Sequence, residues 1–172
     1  MDSLLKLRKF EVVREHLTAP DGSAGTREFV MHPGAVVILP LLSDGRCVMI
    51  RQFRPALGIE LWELPAGTLD VPGESPHDAA ARELEEEAGY RAGTISHLCE
   101  FYTSPGILSE RITAFVAGEL TSTRQKLGPT EQIEVEPLPT AEVLEMVRDG
   151  RIVDGKTIIT LLRWQMHRGF VS

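Results

Sequence analysis

The stretch 65–90, PAGTLDVPGESPHDAAARELEEEAGY, constrains the chain most, because it fixes both ends of one helix and crowds like charges onto one face of it. Ser75 can N-cap, Pro76 suits a first helical position because it has no N–H to leave unpaired, and Asp78 completes a capping-box-like S-x-x-D. Gly89 stops the run. A helix over 76–88 follows, with Ala80, Leu84 and Ala88 as its apolar stripe. Glu83, Glu86 and Glu87 share a second face at i+3 and i+4 spacing, while Glu85 projects elsewhere, into solvent. Like charges at that spacing cost about a few tenths of a kcal/mol per pair, so the cluster requires open water or a cation.

On the open-water reading the glutamates are a solvated acidic face. The cation reading draws on the Gly-rich turns before the helix and on Arg82 beside the glutamates. Mg²⁺ takes hard oxygen ligands and keeps several waters, so carboxylates one turn apart, with a nearby backbone carbonyl, can hold it over a phosphate.

Around this helix the pattern is mixed α and β. Residues 10–17 and 27–31 flank Asp21-Gly22 and read as a peripheral hairpin. The apolar runs 35–42 and 47–53 flank Ser43-Asp44-Gly45-Arg46 and read as a hairpin of central strands, since Asp-Gly tolerates the positive φ of a tight turn. Further strands are expected at 60–64, 95–103, 112–118 and 132–137, and helices at 141–148 and 156–167. Residues 121–130 read as the flexible stretch.

At 172 residues the chain fits one domain, or one domain with a small appendage. No apolar run approaches the roughly 18–20 residues of a membrane span, and the first residues lack a signal-peptide apolar stretch, so a cytoplasmic protein is expected. Cys47 and Cys99 form no CxxC and sit in apolar contexts, as reduced buried thiols do. A net charge of −7 disfavours sequence-independent nucleic-acid binding and adhesion to anionic membranes. Any anionic substrate then needs local positive charge.

The segment 67–90 resembles the Nudix box, Gly-x5-Glu-x7-Arg-Glu-U-x-Glu-Glu-x-Gly-U, where U is a bulky residue. From Glu74 onward the match is complete: seven residues, then Arg82-Glu83-Leu84-Glu85-Glu86-Glu87-Ala88-Gly89-Tyr90. Upstream it departs, with six residues rather than five between Gly67 and Glu74, Val71 or a neighbour being the insertion. Outside the box, His32-Pro33-Gly34-Ala35-Val36, Arg51-Gln52-Phe53-Arg54-Pro55, Glu63-Leu64-Pro65-Ala66-Gly67 and Ser104-Pro105-Gly106 are similar to the ADP-ribose pyrophosphatase subgroup.

The resemblance implies an α+β fold, a Nudix-type α/β/α sandwich with a mixed sheet over 32–172, plus an N-terminal strand extension over 1–31. It implies hydrolysis of a nucleoside diphosphate sugar, ADP-ribose foremost, with Mg²⁺ or Mn²⁺. The alternatives are GDP-mannose, another sugar nucleotide or a dinucleotide as substrate, or a non-catalytic ADP-ribose sensor. By the same resemblance Glu83, Glu87 and the Ala66 carbonyl are metal ligands, Glu86 acts beside them, and Arg82 orients the glutamates. A late-loop glutamate, Glu131, with Glu110 and Glu134 as competitors, serves as general base. Arg54 binds the diphosphate, and Arg51, an odd number of residues away on one strand, faces the other side. Arg27, Glu28 and Ser104 contact substrate. Trp62 and Trp164 are read as core packing, and none of the five histidines as a metal ligand. Similar enzymes are homodimers whose N-terminal strands, here within 9–31, complete the partner's pocket.

Overall fold

The computed structural model describes residues 1–169; positions 170–172 of the expected 32–172 unit lie outside the described residues. In chain order the elements are β1 (Asp2–Lys6), β2 (Glu11–Thr18), β3 (Ala24–Met31), β4 (Ala35–Pro40), β5 (Arg46–Arg54), β6 (Ile59–Glu63) and β7 (Ala66–Thr68). Then come α1 (Pro76–Ala88), β8 (Tyr90–Arg91), β9 (Thr94–Tyr102), β10 (Arg111–Gly118), β11 (Thr121–Ser122), β12 (Ile133–Pro139), α2 (Thr140–Arg148) and α3 (Gly155–Gly169).

Strand β4 is buried on both faces, and each face serves a different core. Ala35, Val37 and Leu39 join a cluster with Val143 and Met146 of α2 and Leu161 and Trp164 of α3. Val36 and Ile38 join a second cluster with Ala79, Ala80 and Leu84 of α1. Side chains alternate along a strand, so the unbroken apolar run of β4 suits a layer with helices on both sides. This is the α/β/α sandwich that the resemblance implied. The sheet is mixed, in the order β7-β4-β10-β9, with β4 parallel to β10 and antiparallel to β7. A second, antiparallel sheet runs β12-β5-β6, and β1-β2-β3 form a third.

The expected hairpin of 35–42 and 47–53 is corrected. Its turn forms: Gly45 takes φ +86°, and Leu42 N donates to Arg46 O at 2.9 Å. Beyond one bridge between Leu41 and Cys47 the strands part into different sheets. Both edges of β4 are taken by β7 and β10 and both edges of β5 by β6 and β12, so neither has an edge left for the other. Strand β1 lies within the strand extension expected over 1–31, ahead of the hairpin read at 10–17 and 27–31.

Helix α1 spans the expected residues. Ser75 Oγ accepts from Asp78 N at 3.1 Å, and Gly89 ends the helix at φ 68°. Part of the stretch read as flexible is instead strapped over the last turn of α1. Thr123 N donates to Gly89 O at 2.7 Å, Lys126 N to Glu86 O at 2.8 Å, and Gln125 Nε2 to Glu87 O at 2.7 Å. These bonds satisfy carbonyls that a helix end leaves without partners. Cys47 and Cys99 are free and buried, and no described helix is long and apolar enough to cross a membrane.

Candidate active site

A cavity of about 660 Å³ opens over the glutamate face of α1. Its floor is β7 and the end of β5, and the loop before β12 and the turn between β1 and β2 reach its rim. Glu83, Glu86 and Glu87 all line it, with Arg82, Ala66, Arg54, Glu110 and Glu131.

Glu87 is buried, and its Oε2 accepts from Ala66 N at 2.9 Å. It has no ion-pair partner among the described residues. Burial pushes its carboxyl up to about 8, against the pull of the Ala66 N–H, and the charge of Glu83 adds to the push. Burial likewise raises Glu83, which Arg82 partly offsets. Arg82 is the hub of the outer carboxylates. Its Nη1 donates to Glu83 Oε1 at 2.7 Å and Glu86 Oε2 at 3.0 Å, while Nε and Nη2 grip Glu74 at 2.8 and 2.9 Å. This fork holds Glu74 below the ordinary carboxylate range and raises Arg82 further. The extra residue of the preceding loop is absorbed in a turn with Val71 exposed, so Glu74 still reaches Arg82.

Among the described residues no three His, Cys, Asp or Glu groups are gathered as a ligand shell. The donor set nevertheless fits a hard divalent ion. It is all oxygen, and it includes a buried carboxylate, Glu87, with no ion-pair partner among the described residues. A cation bound here would compete with Arg82 for Glu83 and would add positive charge beside Glu87.

Residues 31–160 match the NUDIX domain. The chain belongs to the NUDIX family. It is 38% identical over 154 residues to the ADP-ribose pyrophosphatase of Bacillus subtilis (strain 168), covering 88% of this chain and 83% of that protein. It is also 38% identical over 142 residues to the GDP-mannose pyrophosphatase of Escherichia coli O1:K1 / APEC, covering 77% and 73%. A crystal structure of an ADP compounds hydrolase shares the fold with a TM-score of 0.83 at 23% identity, over 96% of this chain and 89% of that one.

Within this NUDIX domain the geometry sorts the residues expected from sequence. Arg54 lines the cavity and Arg51 does not; Arg51 lies over the Trp62 ring and pairs with Glu60, as their opposite strand faces require. Trp164 is buried and Trp62 packs on the core. Of the three late glutamates, Glu131 and Glu110 line the cavity, whereas Glu134 is 74% exposed beside Arg51. Glu131 Oε2 accepts from Gly128 N at 2.7 Å, and Thr103 Oγ1 donates to Glu110 Oε2 at 2.7 Å.

Arg27, Glu28 and Ser104 are not brought to this cavity within the chain. Arg27 and Glu28 sit on β3 beside Pro105 and Ser109 in a second cavity of about 1050 Å³, and Glu28 accepts from Arg14. Ser104 is exposed and lines neither cavity. Glu85 is not in open solvent but pairs with Lys126 and Arg91. Sequence reasoning missed Glu63 and Lys156. The available signal was an acidic residue set between Trp62 and Leu64 in a strand whose neighbours are apolar.

Proposed function

We propose that this protein hydrolyses the diphosphate linkage of a nucleoside diphosphate sugar, ADP-ribose foremost, to AMP and ribose 5-phosphate with Mg²⁺ or Mn²⁺. The observation that carries the reading is Glu87, a buried carboxylate with no ion-pair partner among the described residues, beside Glu83 on a cavity that also presents Arg54. The pyrophosphatase name of the Bacillus subtilis relative, over most of both chains, supports the substrate.

Glu83, Glu87 and the Ala66 carbonyl would hold the divalent ion, with Glu86 next to them. When bound, the ion supplies positive charge to the diphosphate oxygens and to the attacking oxygen. Arg82 keeps Glu83 and Glu86 aligned through its two short hydrogen bonds. Arg54 takes phosphoryl oxygens on its planar fork. Glu131 accepts a proton from the water whose oxygen attacks one phosphorus, and the bridging oxygen leaves with the bonding electron pair on the other half.

The same reading places Arg27, Glu28 and Ser104 near substrate in a homodimer, where the 1–31 extension of one copy meets the other. Its support is that Arg27 and Glu28 lie outside their own chain's first cavity and that Leu4, Leu5 and Leu7 are exposed. A cytoplasmic location accords with two free buried thiols. The GDP-mannose pyrophosphatase relative favours GDP-mannose as the second substrate to try.

The test is product analysis on a panel of ADP-ribose, GDP-mannose and other sugar nucleotides, with and without Mg²⁺, alongside light scattering. Mg²⁺-dependent AMP from ADP-ribose by a dimer is expected. Intact ADP-ribose in both samples removes that substrate, and a monomer removes the shared pocket.

A further inference from the structure

We propose that Glu63 is a positioning residue that grips the Arg54 guanidinium from beneath the cavity, with Lys156 as its second counter-cation. Glu63 ends β6 and is 1% exposed. Arg54 Nε donates to its Oε1 at 2.7 Å and Nη2 to its Oε2 at 2.5 Å, a two-point contact that fixes the plane of the guanidinium. Lys156 Nζ donates to the same Oε2 and, at 2.9 Å, to Asp154 Oδ1.

The network is anchored from behind. Asp154 Oδ2 accepts from Thr157 N at 2.9 Å, and Thr157 Oγ1 accepts from Leu64 N at 2.9 Å. The start of α3 is thereby tied to the residue after Glu63. Burying a carboxylate this deeply is costly unless close counter-charges and hydrogen bonds offset it, and here Arg54 and Lys156 supply them. Arg54, Lys156 and Asp154 all line the cavity, while Glu63 lies below its surface. Glu63 therefore cannot meet a ligand itself and acts through Arg54. Without it, Lys156 keeps Asp154 but Arg54 loses its two-point partner, and the Arg54 side chain must be ordered anew by each ligand, which weakens binding rather than the bond-breaking step.

The kinetic part of this inference rests on Arg54 meeting the diphosphate, as proposed above; the grip itself does not. In ¹⁵N-labelled wild-type protein the Arg54 Nε–H, assigned by its loss in Arg54→Lys, should exchange with water at least about ten-fold more slowly than exposed arginines. Glu63→Gln should remove that protection. With ADP-ribose and Mg²⁺, Glu63→Gln should raise KM about ten-fold with kcat within about three-fold. In an Arg54→Gln background it should change kcat/KM by less than about two-fold. Glu63→Asp keeps the charge but withdraws the carboxylate by one methylene; it is measured alongside in case the amide variant fails to fold, and should raise KM likewise. An unprotected Arg54 Nε–H in the wild type overturns the proposal. So does a wild-type KM in a folded Glu63 variant, or a full-size effect that persists without Arg54. Protection without turnover of any sugar nucleotide supports the grip and removes the substrate reading instead.

Discussion

Gly67 and Glu83 approach so closely that a Cβ at position 67 would lie 1.9 Å from the Glu83 carboxyl carbon and 2.0 Å from Oε1. The helix carboxylate occupies the space that any side chain on the β7 turn would need. Gly67→Ala should therefore drive Glu83 off Arg82. A displacement of about 1 Å in a reacting constellation can cost about 100-fold, so kcat/KM for ADP-ribose should fall by at least that factor with the circular dichroism spectrum retained. Activity close to wild type would mean that turnover does not depend on where Glu83 sits.

The buried charge on Glu87 sets a pH dependence with a definite sign. Its carboxyl stands near 4.5 when unfolded and at about 8 when folded. Below the first value it is protonated in both states, and above the second it is ionised in both. Between them the folded chain alone holds the proton, so this group's contribution to stability falls as pH rises through that window. Glu87→Gln keeps an acceptor for Ala66 N and removes the charge. In EDTA it should raise Tm more at pH 8.5 than at pH 5, while abolishing turnover. A gain independent of pH would show that Glu87 is not the source.

Divalent-ion binding should appear as stabilisation even without substrate. A ligand at about 100 times its Kd adds about 2.7 kcal/mol to the folded state, or roughly 5–10 °C in Tm for a chain of this size. Mg²⁺ should produce such a shift, EDTA should reverse it, and Glu83→Gln with Glu87→Gln should eliminate it. An unchanged Tm at millimolar Mg²⁺, with no heat in calorimetry, would return the helix face to its solvated acidic reading.

Much of the chemistry was legible because it is local. Ser75, Pro76 and Gly89 state where α1 begins and ends, and the helical period then places Glu83, Glu86 and Glu87 together without any tertiary knowledge. The parity of β5 likewise separates Arg54 from Arg51. What escaped depends on pairings distant in sequence. The Asp44-Gly45 turn is written in the sequence, but that β4 gives its edges to β7 and β10 is decided by partners up to about eighty residues away. Glu63 was hidden for the same reason: its partners are Arg54, across the β5–β6 pairing, and Lys156, 93 positions later. The strap of 123–126 reads as loop because its bonds satisfy the carbonyl ends of another element.

Three glutamates competed for the role of general base, and their positions now order them. Glu134 faces solvent beside Arg51, outside the cavity, so Glu134→Gln should leave kcat within about two-fold. Glu110 lines the cavity, but its carboxylate accepts from Thr103 Oγ1. Glu131 lies close enough for its charge to push Glu83 and Glu87 upward, on a loop whose only tie at that side chain among the described residues is Gly128 N. Loss of a general base costs about 10²–10⁴ in rate, and a base carried on a loop can approach the water as the site closes. Glu131→Gln should therefore lower kcat by about 10² or more with KM little changed, and the Mg²⁺-induced rise in Tm should persist, since Glu83, Glu87 and Ala66, the proposed ligands, are intact. Should Glu110→Gln show the larger fall in kcat, the proton acceptor is Glu110, and the Gly128 contact is merely how the loop rests.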